Sequence, residues 1–135
     1  MVKLIIGLKG SGKTKTLIEM VNTAANTSHG SVICVEKGNN LRFDVNYQAR
    51  LVDVADYSIE TTEELSGFVC GMYASNHDIT HVFIDAALKM CKNDVSAFTK
   101  FFLKIAKFAN DNGFDFVATS SIDPSELPSE LKEYV

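Results

Sequence analysis

The chain has 135 residues, 46% of them hydrophobic and 22% charged, and a formal net charge of −4. That size suits one folded domain over residues 1–135, with a sizeable core and no room for a second. The acidic balance argues against a nucleic-acid footprint, and no stretch has membrane-spanning length. Cys34, Cys70 and Cys91 stand far apart with no C-x-x-C spacing, which reads as reduced thiols in a cytoplasmic protein rather than a zinc site or disulfide framework. No secretory leader is apparent, because the first apolar run is short and broken by Gly7 and Lys9.

That run, Val2-Lys3-Leu4-Ile5-Ile6, has strand length and ends where a glycine-rich stretch begins. Residues 7–14, Gly-Leu-Lys-Gly-Ser-Gly-Lys-Thr, match G-x-x-x-x-G-K-[ST] at every fixed position. Gly7, Gly10 and Gly12 let the backbone curl until successive N–H groups point inward at phosphate oxygens. Lys13 is then placed to reach the β- and γ-phosphates, and the Thr14 hydroxyl to ligate Mg²⁺. A helix follows directly, with Leu17, Met20, Val21 and Ala24 at helical spacing and Ile18 and Ala25 widening the stripe. Its positive dipole end adds to the anion site. The expected nucleotide-binding stretch is therefore Gly7, Leu8, Lys9, Gly10, Ser11, Gly12, Lys13, Thr14 and Lys15.

Ser28-His29-Gly30 closes the first helix, and Ser31 to Glu36 reads as a buried second strand. The loop Lys37-Gly38-Asn39-Asn40 lies at that strand's carboxyl end, the rim where open α/β sheets hold ligands. Arg50 to Val54 alternates as an edge strand does. Thr61 with Glu64 forms a capping-box pattern before a helix whose Leu65, Phe68, Val69, Met72 and Tyr73 share one face. Gly67 and Gly71, four apart, suggest close packing of that helix on the sheet. His81 to Asp85 is an apolar strand ending in an acid, followed by a loop with Lys89 and Lys92. Asp94 caps a helix with Phe98, Phe102, Ile105 and Ala109 inward and Lys100, Lys104 and Lys107 outward, stopped at Asn112-Gly113. Phe114 to Ala118 is a last buried strand running into Thr119-Ser120-Ser121, and the tail with Pro124 and Pro128 forms at most a short helix. His29, His77 and His81 have no metal-site spacing. Strands alternating with helices predict an α/β protein, a three-layer sandwich with a mainly parallel sheet of about five strands.

With residues 7–14 in place, Val82-Phe83-Ile84-Asp85 resembles the Walker B strand of phosphate-loop (P-loop) NTPases. The element order resembles that superfamily over the whole chain, while its specific motifs cover residues 7–14 and 82–85 only. The resemblance implies the P-loop NTPase fold, ATP and Mg²⁺ as cofactors, and Asp85 as a metal-holding residue beside Thr14. Lys13 would act on the phosphates. Many relatives place a glutamate directly after the Walker B aspartate, and here that position is Ala86. RecA-like ATPases instead carry it at the end of the second strand, where this chain has Glu36; the alternative for Glu36 is a plain strand-end acid. Related ATPases also place a polar residue at the end of the last strand to sense the γ-phosphate, and Ser120 is the residue expected there. Strand-end hydroxyls also serve simply to satisfy loop backbone.

The chain lacks the D-x-x-G and N-K-x-D elements of switch-type GTPases, so ATP is favoured by default. Mg²⁺-dependent ATP binding with slow hydrolysis is the primary expectation. The element order also resembles thymidine kinases, so a nucleoside-kinase-like phosphotransferase is one alternative, although the cysteine-paired zinc lobe of those enzymes is missing. A non-hydrolysing ATP-dependent switch or scaffold subunit is the other. The resemblance also admits an arginine supplied by a second copy, Arg42 or Arg50, and hence a homo-oligomer, or an unidentified protein partner.

Overall fold

In the computed structural model, which describes residues 1–135, five strands form one sheet in the order β1-β5-β4-β2-β3, and every neighbouring pair is parallel. The strands are β1 (Val2–Ile6), β2 (Ser31–Glu36), β3 (Ala49–Asp53), β4 (Ile79–Ile84) and β5 (Asp115–Ser120). Between them run α1 (Lys13–Thr27), α2 (Thr62–Ser75), the single turn α3 (Ala87–Met90) and α4 (Val95–Asn112). Short 3₁₀ turns follow at Val54–Tyr57, Pro124–Glu126 and Ser129–Tyr134.

Side-chain alternation along the strands divides the interior into two cores. On one face Val32, Cys34, Phe83 and Val117 meet Leu17, Val21 and Ala24 of α1. On the other Ile33, Val35, Val82, Ile84, Phe116 and Ala118 meet α2 and α4, whose Leu65, Val69, Phe98, Phe102 and Ile105 are fully buried. Burying each of these large side chains is worth about 1.5–3 kcal/mol. The result is helix, sheet, helix: three layers. Steps toward the β3 edge use the α1 face, including the 37–48 connection, whose Leu41 and Val45 pack there. Returning steps use α2 and α4, the pattern that crossovers of uniform hand produce.

Local chemistry sets the helix ends as the sequence predicts. Thr61 Oγ1 accepts from Glu64 N, and the Glu64 carboxylate reaches back to the Thr61 amide. Asp94 caps α4 through Ala97 N, and Gly113 closes it in the left-handed region at φ 75°. Four details differ from expectation. The glycines Gly67 and Gly71 face solvent, with nothing within 4 Å of an added Cβ, so they do not bring α2 close to the sheet. β4 begins earlier, at Ile79, because its backbone pairs with β2 from Ser31 onward. β5 extends through Ser120, since Ile6 and Ser120 are still in register. Residues 87–90 form a helical turn rather than open loop, because Ala87, Leu88 and Met90 have the large core to bury into. No helix is long and apolar enough to cross a membrane.

Candidate functional site

The carboxyl ends of the strands open into a cleft of about 810 Å³ between the β1–α1 loop and the 37–48 connection. The loop turns on glycines with positive φ, 85° at Gly10 and 86° at Gly12, where a side chain would strain the backbone. At Gly7 a Cβ would run into the Ser11 hydroxyl. Gly12 occupies the N-cap of α1 and offers no capping side chain. As a result the amides of Gly10, Gly12, Lys13, Thr14 and Lys15 donate to no protein acceptor, and all five residues line the cleft. Five donors at a glycine turn and a helix N-terminus make an anion cradle. The Lys13 ammonium lies over the same loop, donating to Leu8 O at 2.8 Å and Ser11 Oγ at 3.4 Å.

Asp85 is the hub of the opposite wall. It follows β4, and its amide donates to Val35 O at 2.9 Å, which fixes it beside β2. Its carboxylate accepts from Thr14 Oγ1 at 3.2 Å and from Thr119 Oγ1 at 2.7 Å. Thr119 Oγ1 in turn accepts from Ala86 N at 2.8 Å. These contacts join the glycine loop, β4 and β5 through three side chains. Ala86 sits in the left-handed region at φ 54° and leads the chain into the α3 turn. The hydroxyl and carboxylate of Thr14 and Asp85 are hard oxygen donors, the chemistry that suits Mg²⁺.

Glu36 ends β2 on the same face, two residues beyond Cys34. It is 3% exposed, and its two oxygens accept from Asn40 N at 3.0 Å and Leu41 N at 3.2 Å. Burial pushes its pKa up; the two amides oppose that rise, and the charges of Asp53 and Asp85 reinforce it. The Cys34 thiol beneath is pushed up to about 12, chiefly by burial and then by Asp85 and Glu36.

The remaining expected residues fall into two groups. Lys9, Lys13, Lys15, Glu36 and Asp85 line the cleft with Lys37 and Lys89. Ser120 does not: it is fully buried, and its hydroxyl donates to the neighbouring Thr119 carbonyl at 2.8 Å. The strand-end hydroxyls that face the cleft belong to Thr119 and Ser121. Alternation puts Thr119 and Ser120 on opposite faces, but only strand pairing says which of them looks at Asp85. Arg42 and Arg50 also lie elsewhere, the first over the Phe43 ring at 4.7 Å and the second in a groove by α2. No group of three or more His, Cys, Asp or Glu side chains is placed to hold a metal ion, and the cysteines are free. No protein-family model and no curated protein matches the chain.

Proposed function

We propose that this chain is a phosphate-loop NTPase that binds Mg·ATP in the rim cleft and hydrolyses it slowly. The observation that carries this reading is the cradle of five unpaired amides, with the Lys13 ammonium over it and the Thr14–Asp85 pair at its edge. In this reading the amides of residues 10–15 take the phosphate oxygens and Lys13 swings from Leu8 O onto the β- and γ-phosphates. Thr14 and Asp85 hold Mg²⁺, which when bound neutralises charge on the phosphates. Thr119 fixes the Asp85 carboxylate through its 2.7 Å hydrogen bond and takes the position expected of Ser120.

Glu36 is the residue for orienting the attacking water and receiving its proton. Burial raises its pKa, which strengthens it as a proton acceptor, and a carboxylate that already accepts two amides keeps lone pairs for a water. Those same amides stabilise the charged form and temper its proton affinity, which fits slow turnover. ATP is the base choice because no guanine-reading element is present in the sequence.

Titration calorimetry tests the proposal. Mg·ATP should bind the wild-type chain, and Lys13→Ala should weaken that binding by about 100-fold, on the scale of losing a charged hydrogen bond to phosphate. Glu36→Gln should leave binding within a few-fold and cut turnover by about 100-fold or more. No heat with Mg·ATP, under conditions where the chain is folded, would overturn the assignment.

A further inference from the structure

We propose that Asp53 is a positioning residue for ATP hydrolysis, because it anchors the turn at 37–41 whose amides clamp the Glu36 carboxylate. This rests on the reading that Glu36 receives the proton of the attacking water.

The two acids stand side by side. Glu36 and Asp53 are register partners at the ends of β2 and β3, so their side chains leave the sheet on one face. Like charges on neighbouring strands repel, and one short segment offsets that repulsion. Gly38 N donates to Asp53 Oδ1 at 2.8 Å, while Asn40 N and Leu41 N donate to the two Glu36 oxygens at 3.0 and 3.2 Å. A single turn thus serves both carboxylates.

That turn has few other holds. It leaves β2 at Glu36, passes Gly38 at φ 102°, and ends at Leu41, whose side chain is buried against the α1 face. Within residues 37–40, the Gly38–Asp53 bond is the only hydrogen bond to a strand other than β2. Asn40 and Leu41 also line the cleft, so the anchored segment is part of the site wall.

Asp53 does two things through one oxygen. Oδ1 also caps the 3₁₀ turn Val54–Tyr57 through Ala55 N at 2.9 Å, and Oδ2 takes no protein donor. Capping by itself requires only the Ala55 bond. The bond to Gly38 reaches a different segment and fixes it. Without that bond the 37–41 backbone regains freedom, and its amides no longer hold the Glu36 carboxylate in one place. A displacement of about 1 Å at a reacting group is enough to cost a large part of the rate. The phosphate-binding amides of residues 10–15 belong to another loop, so nucleotide affinity does not follow.

The experiment compares the full chain carrying Asp53→Ala, Asp53→Asn, Glu36→Gln, or Asp53→Ala with Glu36→Gln. Each is measured by single-turnover hydrolysis of Mg·ATP, by titration calorimetry and by amide hydrogen exchange. Asp53→Ala should slow hydrolysis at least tenfold and move Mg·ATP affinity less than threefold, with faster exchange at Asn40 and Leu41. Asp53→Asn keeps an oxygen for both amides and should stay within threefold of the wild-type rate. On the Glu36→Gln background, Asp53→Ala should cost less than twofold more, because it acts through Glu36. Asp53→Ser keeps a capping hydroxyl on a side chain one bond shorter, and it replaces Asp53→Ala if that variant does not fold. A wild-type rate or unchanged exchange in Asp53→Ala, beside a crippled Glu36→Gln, overturns this proposal alone. So does an Asp53→Asn as slow as Asp53→Ala, a loss of affinity that accounts for the slower rate, or a loss that persists undiminished on the Glu36→Gln background. If wild type hydrolyses no ATP, or Glu36→Gln hydrolyses it normally, the hydrolase reading fails and this proposal is overturned with it.

Discussion

Thr119 satisfies two neighbours with one hydroxyl, donating to Asp85 Oδ1 and accepting from Ala86 N, and it is 1% exposed. Thr119→Val keeps the shape and removes both bonds, leaving the half-buried Ala86 amide without a partner and Asp85 Oδ1 with the Thr14 hydroxyl alone. Stability should fall by about 1–3 kcal/mol in urea unfolding, while Thr119→Ser should stay close to wild type. Glu36 makes a different prediction at the same scale. Its pKa in the folded chain lies above the ordinary 4.5 because of burial, so just above that pH the folded state holds more proton than the unfolded state. Stability contributed through Glu36 therefore declines as pH rises out of that window. Urea midpoints from pH 4.5 to 7 should show wild type losing ground to Glu36→Gln as pH climbs; a constant difference would contradict the burial argument.

At the scale of elements, the turn from β4 into α3 stores identifiable strain. Ala86 has φ 54°, a region that costs a residue with a Cβ about 1 kcal/mol. Ala86→Gly should relieve it, and the gain in unfolding free energy should reach a few tenths to about 1 kcal/mol, measured by chemical denaturation. A loss of stability would mean that unfolded-state entropy outweighs the strain. This turn also marks where the sequence stops being informative. The glycine loop, the α2 capping box and the β2 boundaries are all written in local chemistry, and they appear in the structure as read. Strand order and the cleft-facing choice of Thr119 over Ser120 depend on pairing between segments far apart in the chain, and the helical turn at 87–90 depends on the core it packs into, neither of which a local pattern encodes. Gly67 and Gly71 mislead for the opposite reason. Their spacing matches a packing motif, but the apolar face of α2 is set by Leu65 and Val69, and the glycines rotate to solvent.

At the scale of the molecule, charge is distributed against its own average. The chain totals −4 while the cleft carries a formal surplus of three, so the rest of the chain sums to −7. A concave positive site on an acidic body concentrates anions locally, and its pull is screened by salt. This gives a prediction that needs no turnover. With Mg·ATP at 100 times its dissociation constant, linkage adds about 2.7 kcal/mol of stability, or roughly 10 °C of melting temperature for a domain of this size. Raising KCl from about 0.05 to 0.5 M shortens the Debye length about threefold and should weaken binding by about tenfold. At the same ligand concentration the stabilisation then drops to about 1.4 kcal/mol, half the original shift. Scanning calorimetry of wild type and Lys13→Ala in both salts measures it directly. A shift that ignores salt would mean that contacts to the base, not the lysine-lined cleft, hold the nucleotide; a shift that persists in Lys13→Ala would place the ligand somewhere other than the glycine loop.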